Sequence, residues 1–110
     1  MPVVHVRPAF ERAVTERIAW LEENAPEEWL DNFLSALEDL RRDLEQFPGA
    51  SPPAKQNERV VVRQKRFPRG LPYFAYYTHT REDPVREVFL THIFHERQRR
   101  PRLDLSRWPW

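Results

Sequence analysis

The sequence predicts an α+β fold in which an antiparallel helical hairpin covers one face of an antiparallel sheet of about four strands. Three observations favour this order of one strand, two helices and three strands. Apolar residues recur at helical spacing across residues 9–47, and β-branched and aromatic residues fill three runs after residue 58. Eleven prolines against two glycines separate these segments. At 110 residues, the chain has the length of a single domain.

The first strand and the first helix are predicted at the start of the chain. The segment from Val3 to Arg7 is short and β-branched and ends at Pro8, which is typical of a strand. The segment from Ala9 to Asn24 places apolar residues on one helical face and Glu and Arg on the other. It therefore predicts an amphipathic helix.

A second helix is predicted from Pro26, which suits a first helical turn, to the Pro48-Gly49 pair, which ends it. Its apolar seam consists of Leu30, Phe33, Leu37, Leu40, Leu44 and Phe47. Because about two residues separate the helices, we expect them to pack as an antiparallel hairpin.

Three strands are predicted after a loop of residues 50–57 (ASPPAKQN). They are the runs from Arg59 to Arg66, from Leu71 to Thr78 and from Val85 to Phe94. Short connections should make these neighbours antiparallel. Residues 101–110 contain two prolines and no periodicity, so they predict a tail or at most a short added strand.

Composition narrows the function classes. The absence of cysteine excludes disulfides, thiolate metal sites and a cysteine nucleophile, and it favours the cytoplasm. No apolar run approaches the ~18 residues that span a bilayer, so no membrane contact is expected. Residues 1–54 carry 5 Lys and Arg against 11 Asp and Glu, whereas residues 55–110 carry 13 against 6. This asymmetry indicates a contact with nucleic acid or an acidic protein, or else acidic helices that neutralise a basic sheet.

The histidines do not predict a metal site. His92 and His95 are three residues apart on a predicted strand, where side chains at that spacing point to opposite faces. The chain also lacks a glycine-rich phosphate loop and the HExxH and GxSxG motifs. We therefore predict neither a metal nor a cofactor.

Basic residues form two clusters that flank adjacent predicted strands. The first is Lys55, Arg59, Arg63, Lys65, Arg66 and Arg69, and the second is Arg97, Arg99, Arg100 and Arg102. Such a surface could bind phosphates. The alternative is that each arginine is simply a solvated strand end.

Three local patterns carry a resemblance to a known family. They are LRRDLEQFPGASP at residues 40–52, RFPRGLPYFAYY at residues 66–77 and IFHERQRRP at residues 93–101. Their order and spacing over nearly the full chain resemble the RelE/ParE toxins of bacterial type II toxin-antitoxin systems. The resemblance implies a toxin that arrests growth and a cognate antitoxin that neutralises it. A homodimer or a hetero-oligomer with the antitoxin would fit the same resemblance.

The family divides between ribosome-dependent cleavage of messenger RNA, as in RelE, and poisoning of DNA gyrase, as in ParE. In the first case, Arg63 and Lys65 match the basic pair of the second strand, and Arg97 matches the catalytic arginine. His95 would act as acid or base in this metal-independent endoribonuclease, which must stabilise a charged pentavalent phosphate.

Two departures favour the ParE-like branch. Tyr73 stands where RelE has an arginine at the start of the central strand, and the RelE tail tyrosine has no counterpart. Trp108 and Trp110 are the only tail aromatics, and a Trp does not exchange protons at neutral pH. Residues expected to bind the target or antitoxin are Arg59, Arg66, Tyr73, Arg99, Arg100, Trp108 and Trp110.

Partner binding is also indicated by surplus apolar surface at Trp20, Trp29 and Phe89 and in the tail. Removal of residues 103–110 is therefore expected to weaken partner binding more than folding. Three hypotheses remain open at this point: a gyrase-binding toxin, a ribosome-dependent ribonuclease, and a basic α+β binding module without toxicity.

Overall fold

The computed structural model describes residues 1–108 and Trp110, and Pro109 of the predicted tail lies outside the described residues. The elements are β1 (Val3–Val6), α1 (Pro8–Asn24), α2 (Glu27–Gln46), β2 (Pro53–Gln56), β3 (Val60–Arg66), β4 (Tyr73–Thr80), β5 (Glu87–His95) and a 3₁₀ turn (Leu105–Arg107). The α+β class is confirmed, as is the order of a strand, two helices and further strands.

The predicted antiparallel sheet of about four strands was wrong in the number of strands and in the direction of one strand pair. The sheet has five strands in the order β1-β5-β4-β3-β2, and β1 pairs with β5 in parallel. The pairs β2–β3, β3–β4 and β4–β5 are antiparallel. Short connections dictate antiparallel pairing only between strands that follow each other, whereas β1 pairs with the strand furthest from it in sequence.

The additional strand β2 lies inside the predicted loop of residues 50–57. All four of its residues are exposed, and its pairing with β3 is irregular between Pro53 and Lys55. An edge strand tolerates proline because one of its sides needs no ladder hydrogen bonds. With both faces exposed, β2 also has no alternation of apolar and polar residues that would predict a strand.

Both helices begin and end where proline dictates. Pro8 is in the first turn of α1, where its missing N–H is not needed, and α1 ends before Pro26. Glu27 and Glu28 occupy the first turn of α2, where the helix dipole favours negative charge. The helix ends at Gln46, just before Pro48.

The main core lies between the helical hairpin and one face of the sheet, called the helix-side face below. Its buried residues include Phe10, Leu21, Phe33, Ala36, Leu40, Leu44, Phe67, Ala75, Tyr77, Val88 and Leu90. The Tyr77 hydroxyl donates to the carbonyl oxygen of Pro48 at 2.7 Å. This hydrogen bond ties the end of α2 to the middle of the sheet.

A second core lies on the opposite face, called the tail-side face below, and the C-terminal segment covers it. Leu103 is buried against Val62, Tyr76 and Phe94. Lys55 Nζ donates to the Leu103 carbonyl oxygen at 2.6 Å. The described part of the predicted tail is thus packed against the sheet, with one 3₁₀ turn. This packing favours a role in stability, contrary to the expectation that residues 103–110 matter more for partners than for folding.

None of the helices in the described part of the chain is long and apolar enough to cross a membrane.

Candidate functional site

Arg63 and Lys65, the predicted basic pair, share the helix-side face of β3 and are both engaged within the molecule. Arg63 Nη1 donates to the Ser51 carbonyl oxygen at 2.6 Å. Lys65 Nζ lies 3.4 Å from the Asp43 carboxylate near the end of α2, and its side chain is 23% exposed. The acidic second helix therefore neutralises part of the basic sheet.

His79 is the second partner of Arg63, and its hydrogen bonds define its tautomer. Nδ1 lies 2.6 Å from the Thr80 carbonyl oxygen, which can only accept, so Nδ1 carries the proton. Nε2 is then free to accept from Arg63 Nε at 2.9 Å. Burial lowers the pKa of His79 below 6.5, and Arg63 and Arg81 lower it further, against the hydrogen bond to Thr80. The neutral His79 imidazole is therefore the second hydrogen-bond acceptor of the Arg63 guanidinium, beside the Ser51 carbonyl oxygen.

We expect the melting temperature to fall as the pH is lowered. Burial lowers the pKa of both His79 and His92, so below 6.5 the unfolded chain binds more protons than the folded chain. The stability gained by burying the two histidines in their neutral form is fully present above pH 6.5. It is lost as the pH falls through the lowered pKa values of the folded chain. Thermal unfolding from about pH 7.5 to about pH 5.5 measures this dependence. His79→Gln and His92→Gln should each flatten it, and an unchanged slope in both variants would contradict the assignment.

His95 and Arg97 lie at the end of β5. His95 Nδ1 accepts from the backbone N–H of Arg97 at 3.1 Å, and the His95 N–H donates to Gln98 Oε1 at 2.6 Å. These two hydrogen bonds close a turn after β5. They occupy Nδ1 of the His95 ring, and Nε2 is its other ring nitrogen. The Arg97 side chain is exposed.

The four predicted catalytic residues are divided between two strands that are not neighbours, with Arg63 and Lys65 on β3 and His95 and Arg97 at the end of β5. Lys65 lies opposite Ala75 on β4, and Ile93 completes that row on β5. His95 lies one helix-side row further along, opposite Tyr73. The Lys65 and His95 backbones are therefore two strands and two residues apart, roughly 12 Å at standard strand spacing.

The arginines predicted to bind a target or antitoxin are divided between the two ends of the sheet. Arg59 is in the turn before β3, whereas Arg66 ends β3 next to the end of β5. The Arg66 guanidinium lies 4.9 Å from the Phe74 ring centre and 3.4 Å from the Glu96 carboxylate. Arg99 and Arg100 are exposed on the segment that leaves β5. Arg59 and Arg66 therefore do not belong to one continuous basic rim.

Trp108 and Trp110, predicted as contact residues, are half-buried on the tail-side face. Trp108 Nε1 donates to the buried Thr78 hydroxyl at 2.7 Å. The Trp110 ring meets His92 edge to face at 5.8 Å, and Arg7 Nε donates to the Trp110 carbonyl oxygen at 2.5 Å. Both indoles thus make contacts within the molecule.

The most distinctive exposed constellation surrounds Arg17, which the sequence analysis did not single out. The Arg17 guanidinium lies 5.4 Å from the Trp20 ring centre and 5.3 Å from that of Tyr73. His95 meets Tyr73 edge to face at 5.7 Å. The predicted contact residue Tyr73 is therefore held between α1 and the end of β5.

Two adjoining hollows form one groove around this constellation, called the Arg17 groove below. The first, of about 350 Å³, is lined by Ala13, Glu16, Arg17, Trp20, Tyr73, Ile93, Phe94, His95 and Gln98. The second, of about 450 Å³, is lined by Arg17, Trp20, Leu21, Trp29, Asn32, Phe33, Leu71, Pro72, Tyr73 and His95. Trp20 is 48% exposed and Trp29 58% exposed, so the indoles expected to bind a partner do lie on the surface.

Among residues 1–108 and Trp110, no three His, Asp or Glu side chains are grouped so that they could hold a metal ion. Comparison with protein-family models, curated proteins and solved structures finds no match for this chain.

Proposed function

We propose that this chain is the toxin of a bacterial type II toxin-antitoxin system, that it arrests growth by binding DNA gyrase, and that a cognate antitoxin neutralises it. The proposal begins from the resemblance to RelE/ParE toxins at residues 40–52, 66–77 and 93–101. The observation that carries the choice of a binding mechanism is the internal pairing of Arg63 and Lys65. A nuclease would need these cations free to stabilise the phosphate.

The surface supports protein binding in two further ways. Trp20 and Trp29 expose large apolar side chains, and aromatic residues are enriched in protein interfaces. Arg99 and Arg100 are exposed on the segment that follows β5, where they are able to steer an acidic partner.

One observation favours the alternative of a ribosome-dependent ribonuclease. His95 and Arg97 are close together at the end of β5, and among the described residues His95 Nε2 has no hydrogen-bond partner. A titratable group beside an exposed cation is the minimum that cleavage of an RNA phosphate requires. Arg63 and Lys65, the two cations of β3, do not join this pair. Arg63 binds the loop after α2, and Lys65 binds α2 itself.

A supercoiling assay with purified DNA gyrase tests the proposal. We expect the wild-type protein to inhibit supercoiling, and the double variant Arg99→Glu/Arg100→Glu to need roughly tenfold more protein because charge reversal opposes encounter with an acidic partner. Arg107→Glu is the matched control, since its side chain is 82% exposed and lies in the 3₁₀ turn rather than in the segment that follows β5. Full gyrase activity at protein concentrations that arrest growth would refute the proposal.

A further inference from the structure

A separate hollow of about 350 Å³ opens on the tail-side face, between the edge strand β2 and the segment that follows β5. Its lining consists of Ala54, Lys55, Tyr76, Pro101, Arg102 and Leu103. Lys55 and Arg102 are the charged members of this lining, and both are exposed cations. No acidic side chain belongs to the described lining, so the hollow, called the Lys55 hollow below, is positively charged.

Both cations of the Lys55 hollow keep hydrogen-bond donors for a ligand. Lys55 Nζ donates to the Leu103 carbonyl oxygen at 2.6 Å, which uses one of its three N–H groups. Neither Lys55 nor Arg102 forms an ion pair with a carboxylate of the described residues. Asp104 is the nearest acid along the chain, but its carboxylate accepts two hydrogen bonds from Ser106, at 3.0 and 2.6 Å. An anion is therefore the ligand that would satisfy the two cations.

The Tyr76 hydroxyl supplies a third donor to the Lys55 hollow. Tyr76 is only 5% exposed, and its ring is part of the second core. Its hydroxyl has no hydrogen-bond partner among the described residues, and no fully buried side-chain oxygen among them lacks a partner. The hydroxyl oxygen is therefore open to the hollow that Tyr76 lines. Burial raises the pKa of Tyr76 and the charge of Arg100 lowers it to a lesser extent, so the hydroxyl keeps its proton at neutral pH.

We propose that the Lys55 hollow binds the phosphate group of a small molecule, either inorganic phosphate or a phosphomonoester. The three donors come from three elements, namely Lys55 on β2, Tyr76 on β4 and Arg102 on the segment after β5. A phosphate presents three acceptor oxygens in different directions, whereas a carboxylate presents two in one plane. The volume of the hollow is at the lower end of the range of about 300 to 1,000 Å³ for small-molecule sites. Neither gyrase nor toxicity is needed for this binding.

Titration of the ¹⁵N-labelled 110-residue protein with inorganic phosphate, followed by NMR, tests the proposal. The buffer contains Tris and chloride, and the ionic strength is held constant with sodium chloride. We expect the backbone amide signals of Lys55, Tyr76 and Leu103 to shift and to saturate, which gives a dissociation constant. The same shifts with chloride alone, or shifts that never saturate, would show only unspecific anion attraction and overturn the proposal.

Variants locate the bound phosphate. Arg102→Gln removes an exposed charge and should raise the dissociation constant about tenfold. Tyr76→Phe removes only the hydroxyl and should raise it about fivefold. Arg107→Gln, whose side chain is 82% exposed, and Tyr77→Phe, whose hydroxyl binds Pro48 on the helix-side face, are the matched controls. Equal affinity in wild type and all four variants would place the anion elsewhere and overturn the proposal.

Two further ligands identify the source of the phosphate. Uridine 5′-monophosphate that binds more tightly than inorganic phosphate, with a dependence on Arg102 and Tyr76, would assign the site to a phosphomonoester. Equal affinities would assign it to the free anion. Mixed-sequence single-stranded RNA that binds far more tightly than either, through the same two residues, would make the hollow a nucleic-acid contact and overturn the assignment to a small molecule. Because binding is measured on the purified protein, its outcome is independent of growth arrest and of the toxin proposal.

Discussion

Removal of residues 103–110 is expected to lower the free energy of unfolding by about 4 kcal/mol or more and the melting temperature by more than about 15 °C. Leu103 is only 8% exposed, and its loss would uncover Val62, Tyr76 and Phe94 on the tail-side face. The deletion also takes away the Trp108 indole, the hydrogen-bond partner of the buried Thr78 hydroxyl. Chemical denaturation of the purified truncated protein measures the loss.

Point variants separate the contributions that Leu103 and Trp108 make to the free energy of unfolding. Leu103→Ala should cost about 2 to 4 kcal/mol because it leaves a cavity in the second core. Trp108→Phe should cost about 1 to 2 kcal/mol because it removes the hydrogen bond to Thr78. Arg107→Ala is the control, since its side chain is 82% exposed. A truncated protein that melts within a few degrees of wild type would show that the segment contributes little to folding, as the sequence alone suggested.

Phe33→Ala is expected to have the second large effect, a loss of about 3 to 5 kcal/mol of unfolding free energy. Phe33 is 2% exposed, and its ring packs against Phe67 at 6.1 Å and edge to face against Tyr73 at 6.0 Å. The resulting cavity would lie between α2 and the sheet, directly below the larger hollow of the Arg17 groove.

The neighbouring residue supplies the matched control for this variant. Leu34 follows Phe33 in α2 but points away from the sheet and is 42% exposed. Leu34→Ala should therefore cost less than about 1 kcal/mol. Urea denaturation of the two variants compares them directly. Similar losses for Phe33→Ala and Leu34→Ala would mean that the helix does not pack on the sheet through the face described above.

The sequence predicts those parts of the fold that depend on local periodicity. Both helices follow from their apolar spacing and their prolines, and their observed ends lie within about a turn of the predicted ones. The parallel pairing of β1 with β5 is decided by packing between distant segments, which a local pattern does not encode. Strand β2 was missed because exposed residues such as Pro53 and Lys55 have no apolar alternation and depend on β3 for their pairing.

The site is less predictable than the fold for a related reason. Tyr73 and His95 were singled out as candidates, and they lie side by side because β4 pairs with β5 in this register. Arg17 was missed because its importance comes from Tyr73, which is distant in sequence, although the Arg17 to Trp20 spacing of three residues places both on one helical face. The engagement of Arg63 with Ser51 likewise depends on the tertiary path of the loop after α2.

Mapping of 5′ ends on translated messages by primer extension, in cells that express the chain, tests most directly whether it acts by binding rather than by cleavage. The measurement compares wild type with Arg97→Ala, whose exposed side chain makes the substitution harmless to folding. We predict that both proteins arrest growth and that neither produces new ends within the messages. New ends in the wild-type sample that disappear with Arg97→Ala would contradict the binding mechanism, and the absence of growth arrest would contradict the toxin proposal itself.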